Sequence, residues 1–293
     1  MFKFEVTILG CSSATPVFNR HPTSQWVNYN NTHFLLDCGE GTQMQITRFG
    51  LKASKLSHIF ISHLHGDHYL GLMGLISSMN LNGRTADLHI YAPSQLEALM
   101  HSHFEISQSY IRFPLFFHNT FPEPKDPEQT HFNSEILLDF PINLKDGPQV
   151  EIHSRVLLET KEFSVSTIPL KHSIPCCGFL IKELGVTRNQ EGNPRSYAFC
   201  SDTRYTPQLQ ELLFGVATLY HETTFSHSMV NRAEVTYHST ASQAAQLAKD
   251  CRAGKLLMGH FSARYKDLNP LLEEAKSIFP DSYLAVEGIT FSI

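Results

Sequence analysis

Residues 62–68 read Ser62-His63-Leu64-His65-Gly66-Asp67-His68, directly behind the apolar, β-branched run His58–Ser62. Four groups able to bind a metal ion fall within six positions at the end of a predicted strand. Histidines two apart point the same way in an extended chain, so His63 and His65 can hold one ion together. The turn that Gly66 permits then lets Asp67 and His68 face a second ion. Imidazole and carboxylate donors suit zinc, and also manganese or iron. The competing reading is an accidental His-rich surface turn, which would need no apolar strand in front of it.

The same arrangement recurs along the chain. His172 follows Phe163–Ile168, Asp202 follows Tyr197–Ser201, and His260 follows Lys255–Gly259. Any one of these alone is more often a capping or core polar residue than a ligand. Together with the first four they make about the number of donors that a two-ion site with one shared carboxylate needs. Further strand-like runs are Phe2–Leu9, His33–Asp37, Leu88–Tyr91 and Thr218–His221. Helical periodicity covers Tyr69–Leu81, Ser239–Cys251 behind a Ser239/Thr240 cap, and Leu268–Phe279. Strands interspersed with helices, and donors after strand ends, predict an α/β fold of sheets covered by helices.

With 42% hydrophobic and 17% charged residues, the 293-residue chain can bury a sizeable core and is not a disordered polymer. No repeat or linker divides it, so residues 1–293 are expected to form one domain. The Pro- and acid-rich stretch near 121–148 reads as an insertion loop. The 28 acidic and 23 basic residues leave a net charge of −5. That removes any bulk attraction to nucleic acid, so contact with it must come from a local basic patch. No apolar run of about 18 residues occurs, and no membrane span is expected. The N-terminus lacks the features of a signal peptide. The six cysteines show no CxxC spacing and read as reduced, buried thiols of a cytoplasmic protein.

The string HLHGDH, with Asp37-Cys38-Gly39-Glu40-Gly41-Thr42-Gln43 before it, resembles ribonuclease Z, the transfer-RNA 3′-processing branch of the metallo-β-lactamase fold. So do Pro169–His172 with Gly178-Phe179, Ser201-Asp202-Thr203, His221-Glu222-Thr223-Thr224-Phe225, His238-Ser239-Thr240-Ala241 and Gly259–Tyr265. The likeness runs in order from about residue 4 to the C-terminus. HxHxDH alone marks only the superfamily; the HST, HE-TF and HFSARY strings point to this branch. The resemblance implies an αββα sandwich, two mixed β-sheets flanked by helices. It implies a metal-dependent phosphodiesterase cleaving precursor tRNA 3′ ends, usually with zinc, as a homodimer. It also implies His63, His65 and His172 on one ion, Asp67, His68 and His260 on the other, and Asp202 bridging. His238 matches the histidine that helps protonate the leaving 3′ oxygen, and Glu222 the residue that orients it.

The chemistry of the residues agrees. Two cations lower the pKa of a shared water from about 15.7 toward neutrality. Asp67 can accept that water's proton, and a histidine suits the leaving-group side because it titrates near operating pH. Against this, His238 also fits a polar residue at a helix N-terminus, and Glu222 a solvated surface carboxylate. A structural role suits His221, and packing or surface roles suit other histidines such as His101 and His103.

One departure bears on substrate. Between the third ligand histidine and the bridging aspartate, the bacterial family carries a long arm that grips the tRNA elbow. Here His172 and Asp202 are only 30 positions apart. Lys182–Ser196 has room for a hairpin and a net charge of +1. RNA contact would then rest on Arg188, Arg195, Arg264 and Lys266. The alternative is a phosphodiesterase of the same fold acting on small or cyclic phosphodiesters. A metal-binding protein without catalysis would have no use for His238 and Glu222.

Overall fold

The computed structural model describes residues 3–121, 154–185 and 194–293. The apolar runs become two seven-stranded mixed sheets, counted among those residues. The first sheet contains β1 (Phe4–Gly10), β2 (Ser24–Tyr29), β3 (Thr32–Cys38), β4 (Leu56–Phe60), β5 (Leu88–Ala92) and β6 (Leu115–Asn119). The first three pair antiparallel, and β3 to β6 run parallel. The second contains β7 (Val156–Glu159), β8 (Phe163–Pro169), β9 (Cys177–Glu183) and β10 (Ser196–Cys200), all antiparallel. It continues in parallel through β11 (Thr218–Glu222), β12 (Lys255–Gly259) and β13 (Ser282–Leu284). The last strand, β14 (Thr290–Ser292), returns to pair with β1.

Alternation along the strands decides which side chains meet. Phe34, Leu36 and Phe60 turn inward and pack with Val165, Phe179, Phe199, Tyr220 and Leu257 of the other sheet. Leu35, Ile59 and Ile90 turn outward. There they meet Leu72, Leu75, Ile76 and Met79 of the helix Gly71–Leu81, and Leu96 and Met100 of the helix Gln95–Ile106. On the second sheet, the helix Ala241–Asp250 presents Ala241, Ala244, Ala245, Leu247 and Ala248, joined by Leu271 and Ala275 of Asn269–Lys276. Parallel strands covered on both faces need such continuous apolar runs. The sandwich expected from the resemblance is therefore present.

Differences from the sequence reading are local. The periodic stretch Tyr69–Leu81 divides at Leu70 into a turn of helix, Gly66–Tyr69, and Gly71–Leu81. Thr240, rather than Ser239, caps the helix that follows it, through a capping box with Gln243. Phe121 apart, the stretch 121–148 lies outside the described residues. Its flanking strands β6 and β7 are edge strands of different sheets.

The parallel strands β3, β4, β11 and β12 and the strand β10 all end on one side of the sandwich. Gly71 packs so closely there that an added Cβ would stand 2.1 Å from the Gly39 carbonyl oxygen, and one at Gly39 would meet the Asp67 carbonyl oxygen at 2.4 Å. The absence of side chains at these two positions lets the β3 loop and the turn carrying Asp67 lie against each other.

Candidate metal centre

Seven strand-end side chains converge, and five of them, His65, Asp67, His172, Asp202 and His260, line one cavity of about 430 Å³, with His63 and His68 buried behind it. His63 and His65 leave the end of β4, and Asp67 and His68 sit in the single helical turn that follows. His172 follows β8, Asp202 follows β10 and His260 follows β12. Donor atoms of His63, His65, His172 and Asp202 lie within 4.8 Å of one another, as do those of Asp67, His68 and His260. Asp202 lies between the two groups. Its Oδ2 is 3.8 Å from His63 Nε2, 3.7 Å from His172 Nε2 and 3.5 Å from His68 Nε2. Its Oδ1 is 3.0 Å from His260 Nε2. Asp67 Oδ2 stands 3.5 Å from both His68 Nε2 and His260 Nε2.

The opposite edge of each ring explains this convergence. His63 Nδ1 lies 2.9 Å from the Ser62 hydroxyl, and His68 Nδ1–H donates to Asp37 Oδ2 at 2.7 Å. His172 Nδ1–H donates to the Tyr237 carbonyl at 3.1 Å, and His260 Nδ1 lies 3.1 Å from the Thr224 hydroxyl. With Nδ1 held outside, Nε2 is left facing inward. His65 differs: its Nδ1 faces the cluster, 3.2 Å from His63 Nε2 and 3.0 Å from His172 Nε2. Such outer partners fix tautomer and ring orientation wherever imidazoles bind metal.

Fit to a cation can be judged from the polar atoms themselves. His68 Nε2, His260 Nε2 and Asp202 Oδ1 are buried without a hydrogen-bond partner among the described residues. Buried polar atoms are rarely left so, and here they point at one another. Burial and neighbouring imidazoles push His63 well below the usual histidine pKa, and burial brings His172 down to about 4. Both are therefore neutral at pH 7, the form that binds metal. Burial works against charge on His68, but Asp202, Asp37 and Asp67 outweigh it and hold its pKa well above normal. Burial alone would raise Asp202; His260 and His68 hold it well below the carboxylate range instead. The donor set and its orphaned atoms fit two divalent cations.

Beside this cluster stands a second constellation. His238 Nδ1–H donates to Glu222 Oε1 at 2.9 Å, and Glu222 is fully buried. The same carboxylate accepts from the Thr203, Thr224 and Ser239 amides and the Thr224 hydroxyl. Glu222 is therefore no solvated surface group. Burial disfavours a charged His238, but the Glu222 carboxylate prevails and raises its pKa to about 9. His238 lines the cavity and lies ahead of the helix cap rather than in it. His221 is buried, with Nδ1 donating to the Glu222 carbonyl at 2.7 Å.

Sequence reasoning assigned no role to several contributors. Asp37 accepts from the Ser62 amide at 2.8 Å, the Ser62 hydroxyl at 3.0 Å and His68. Its available signals were its place at the end of the apolar run His33–Asp37, inside β3, and at the head of the Asp37–Gln43 string. The Ala14 amide donates to Asp67 Oδ2 at 2.8 Å from a loop remote in sequence. Asp37, Tyr237 and His260 have left-handed φ values of 55°, 59° and 57°. Each costs on the order of 1–3 kcal/mol, a strain typical of residues that aim functional groups. One expectation fails. Arg195 is not free for RNA, because its guanidinium binds the buried Glu183 carboxylate at 2.6 Å and lies over Phe4. It also precedes β10, at the end of the sheet away from Asp202. Arg188 lies outside the described residues.

A family model described as anti-Pycsar protein Apyc1 matches residues 4–278. A ribonuclease Z of Bacteroides fragilis is 40% identical, with 100% of both chains covered. A ribonuclease Z of Cytophaga hutchinsonii is 39% identical over 99% of this chain and 96% of its own. The short form of human tRNase Z superposes with a TM-score of 0.75 at 29% identity, covering 99% of each chain.

Asp37→Asn leaves an amide facing the Ser62 N–H and releases His68 Nδ1. Divalent-cation affinity, measured by competition with a chromophoric chelator, should fall about 10–100-fold. Unchanged affinity would show that His68 needs no such anchor.

Proposed function

The chain belongs to the ribonuclease Z family of metallo-β-lactamase-fold hydrolases, and also to the family described by anti-Pycsar protein Apyc1; on that premise we propose that it cleaves precursor tRNA endonucleolytically at the 3′ side. The observation that carries the reading is the pairing of a cation-ready cluster with the His238–Glu222 dyad across one cavity. His63, His65 and His172 would hold one divalent ion, and Asp67, His68 and His260 the other, with Asp202 shared. Zinc suits these donors first. When bound, the two ions acidify the attacking water and neutralise charge on the phosphate. Asp67 accepts the water's proton while the Ala14 amide holds its carboxylate in place. His238, with Nδ1 tied to Glu222, presents Nε2 to the leaving 3′ oxygen and donates a proton to it. A cytoplasmic setting suits the six free, buried cysteines. A homodimer completes the reading taken from the resemblance.

A second reading has its own support. Among the described residues neither Lys nor Arg lines the cavity, and only residues 184–195 separate β9 from β10, where the family has its arm. Hydrolysis of small or cyclic phosphodiesters would need no more than this. Metal-loaded protein should be incubated with 3′-extended precursor tRNA beside bis(p-nitrophenyl) phosphate. A single cut next to the discriminator base is expected; turnover of the small ester alone would transfer the case to the second reading.

The dyad makes separate demands. His238→Ala should keep its metal by elemental analysis and lose roughly 10²–10⁴-fold in kcat. Glu222 raises the His238 pKa, so His238 stays protonated below that value and activity falls as pH rises through it. Glu222→Gln removes the raising charge, and the alkaline limb of the kcat profile should move to lower pH. Loss of metal from His238→Ala, or an alkaline limb that stays in place, would contradict these roles.

A further inference from the structure

Phe18 is 93% exposed, the most exposed of the large hydrophobic residues among those described. It tips a two-residue hairpin in which the Val17 amide donates to the Arg20 carbonyl at 2.9 Å and the Arg20 amide returns the bond at 3.0 Å. Asn19 closes the turn with a left-handed φ of 66°. The finger rises from the mouth of the candidate centre. Ser13, Ala14 and Pro16 line the cavity on one flank and Pro22 on the other. Phe18 is two residues from Pro16, so their Cα atoms are at most about 7 Å apart.

The stem is rigid. Arg20 donates to the Tyr265 carbonyl at 2.9 Å and the Ser262 carbonyl at 3.3 Å, clamping the hairpin to the loop after His260. The Ser12 amide donates to the His21 carbonyl at 2.9 Å, and the Ser13 amide to the Phe261 carbonyl at 3.0 Å. A ring held in water on so fixed a stem loses little entropy when a flat partner covers it. Among the described residues that line the cavity the only aromatic rings are histidines, beside apolar Ala14, Pro16, Pro22 and Leu70, so Phe18 would add a flat apolar ring next to that lining.

We propose that Phe18 is a stacking finger that binds a nucleobase flanking the scissile phosphate, making it a specificity-determining residue for single-stranded RNA ends. The proposal rests on the RNA-cleaving reading above. Every base offers a π-face, so stacking would secure an unpaired end without sequence readout, worth about 1–3 kcal/mol per base.

The test uses an RNA substrate and a matched RNA with an abasic ribose at the flanking nucleotide. Phe18→Ala should raise KM for the first about 5- to 150-fold with kcat nearly constant. Removing the base should raise the wild-type KM similarly, and the two losses should not add; Phe18→Tyr should restore binding. Phe18→Trp gives a second readout in metal-free protein, because Trp26 is only 2% exposed. Its emission should be quenched by the base-bearing RNA and much less by the abasic one. Additive losses, or equal quenching by both RNAs, would overturn the proposal. So would conversion of a dimer to a monomer by Phe18→Ala with an unchanged KM, which would make the finger an interface between copies. Wild-type protein that cleaves no RNA would defeat the parent reading, whereas normal cleavage with an unchanged KM in Phe18→Ala would defeat only the finger.

Discussion

Burial of the Asp202 carboxylate among inward-facing imidazole nitrogens is the constraint around which this sandwich is arranged. A carboxylate only 3% exposed, with one oxygen lacking a hydrogen-bond partner among the described residues, is costly in any fold. His63 and His68 approach it from the end of β4, His172 from β8 and His260 from β12, and no local segment could collect them. Only two sheets ending on one side bring these chain positions together. Positive charge at the cluster offsets the anions, and bound cations would do so most completely.

The outer hydrogen bonds turn that constraint into directed chemistry. Asp37, Ser62, Tyr237 and Thr224 each hold the far edge of one ring, so orientation is set before any ligand arrives. Strained backbone at Asp37, Tyr237 and His260 belongs to the same apparatus. Glu222 serves the other side of the cavity by holding both His238 and the amide of Ser239. The helix capped by Thr240 starts immediately after, so packing of its alanine face fixes where His238 stands.

Much of this could be read from residues alone because each donor follows an apolar run. The runs behind His63, Asp202 and His260 become β4, β10 and β12 within two residues at either end. Periodicity could not reveal β2 or the helix Gln95–Ile106. The strand Ser24–Tyr29 mixes Gln25 and Asn28 into a largely buried sequence, and that helix buries only Leu96 and Met100 of its twelve residues. Backbone donors were equally hidden, since Ala14 and Tyr237 act through groups common to all residues. Arg195 looked like a free cation because its partner Glu183 becomes adjacent only across the β9–β10 pairing.

The central claim is that strand ends from both sheets assemble one two-ion centre. Anomalous scattering from crystals of the metal-loaded protein tests it most directly. Two peaks about 3.5–4 Å apart on either side of Asp202 are predicted, one among His63, His65 and His172 and the other among Asp67, His68 and His260. A single ion, or a peak pattern that leaves His260 or Asp202 without metal, would contradict it.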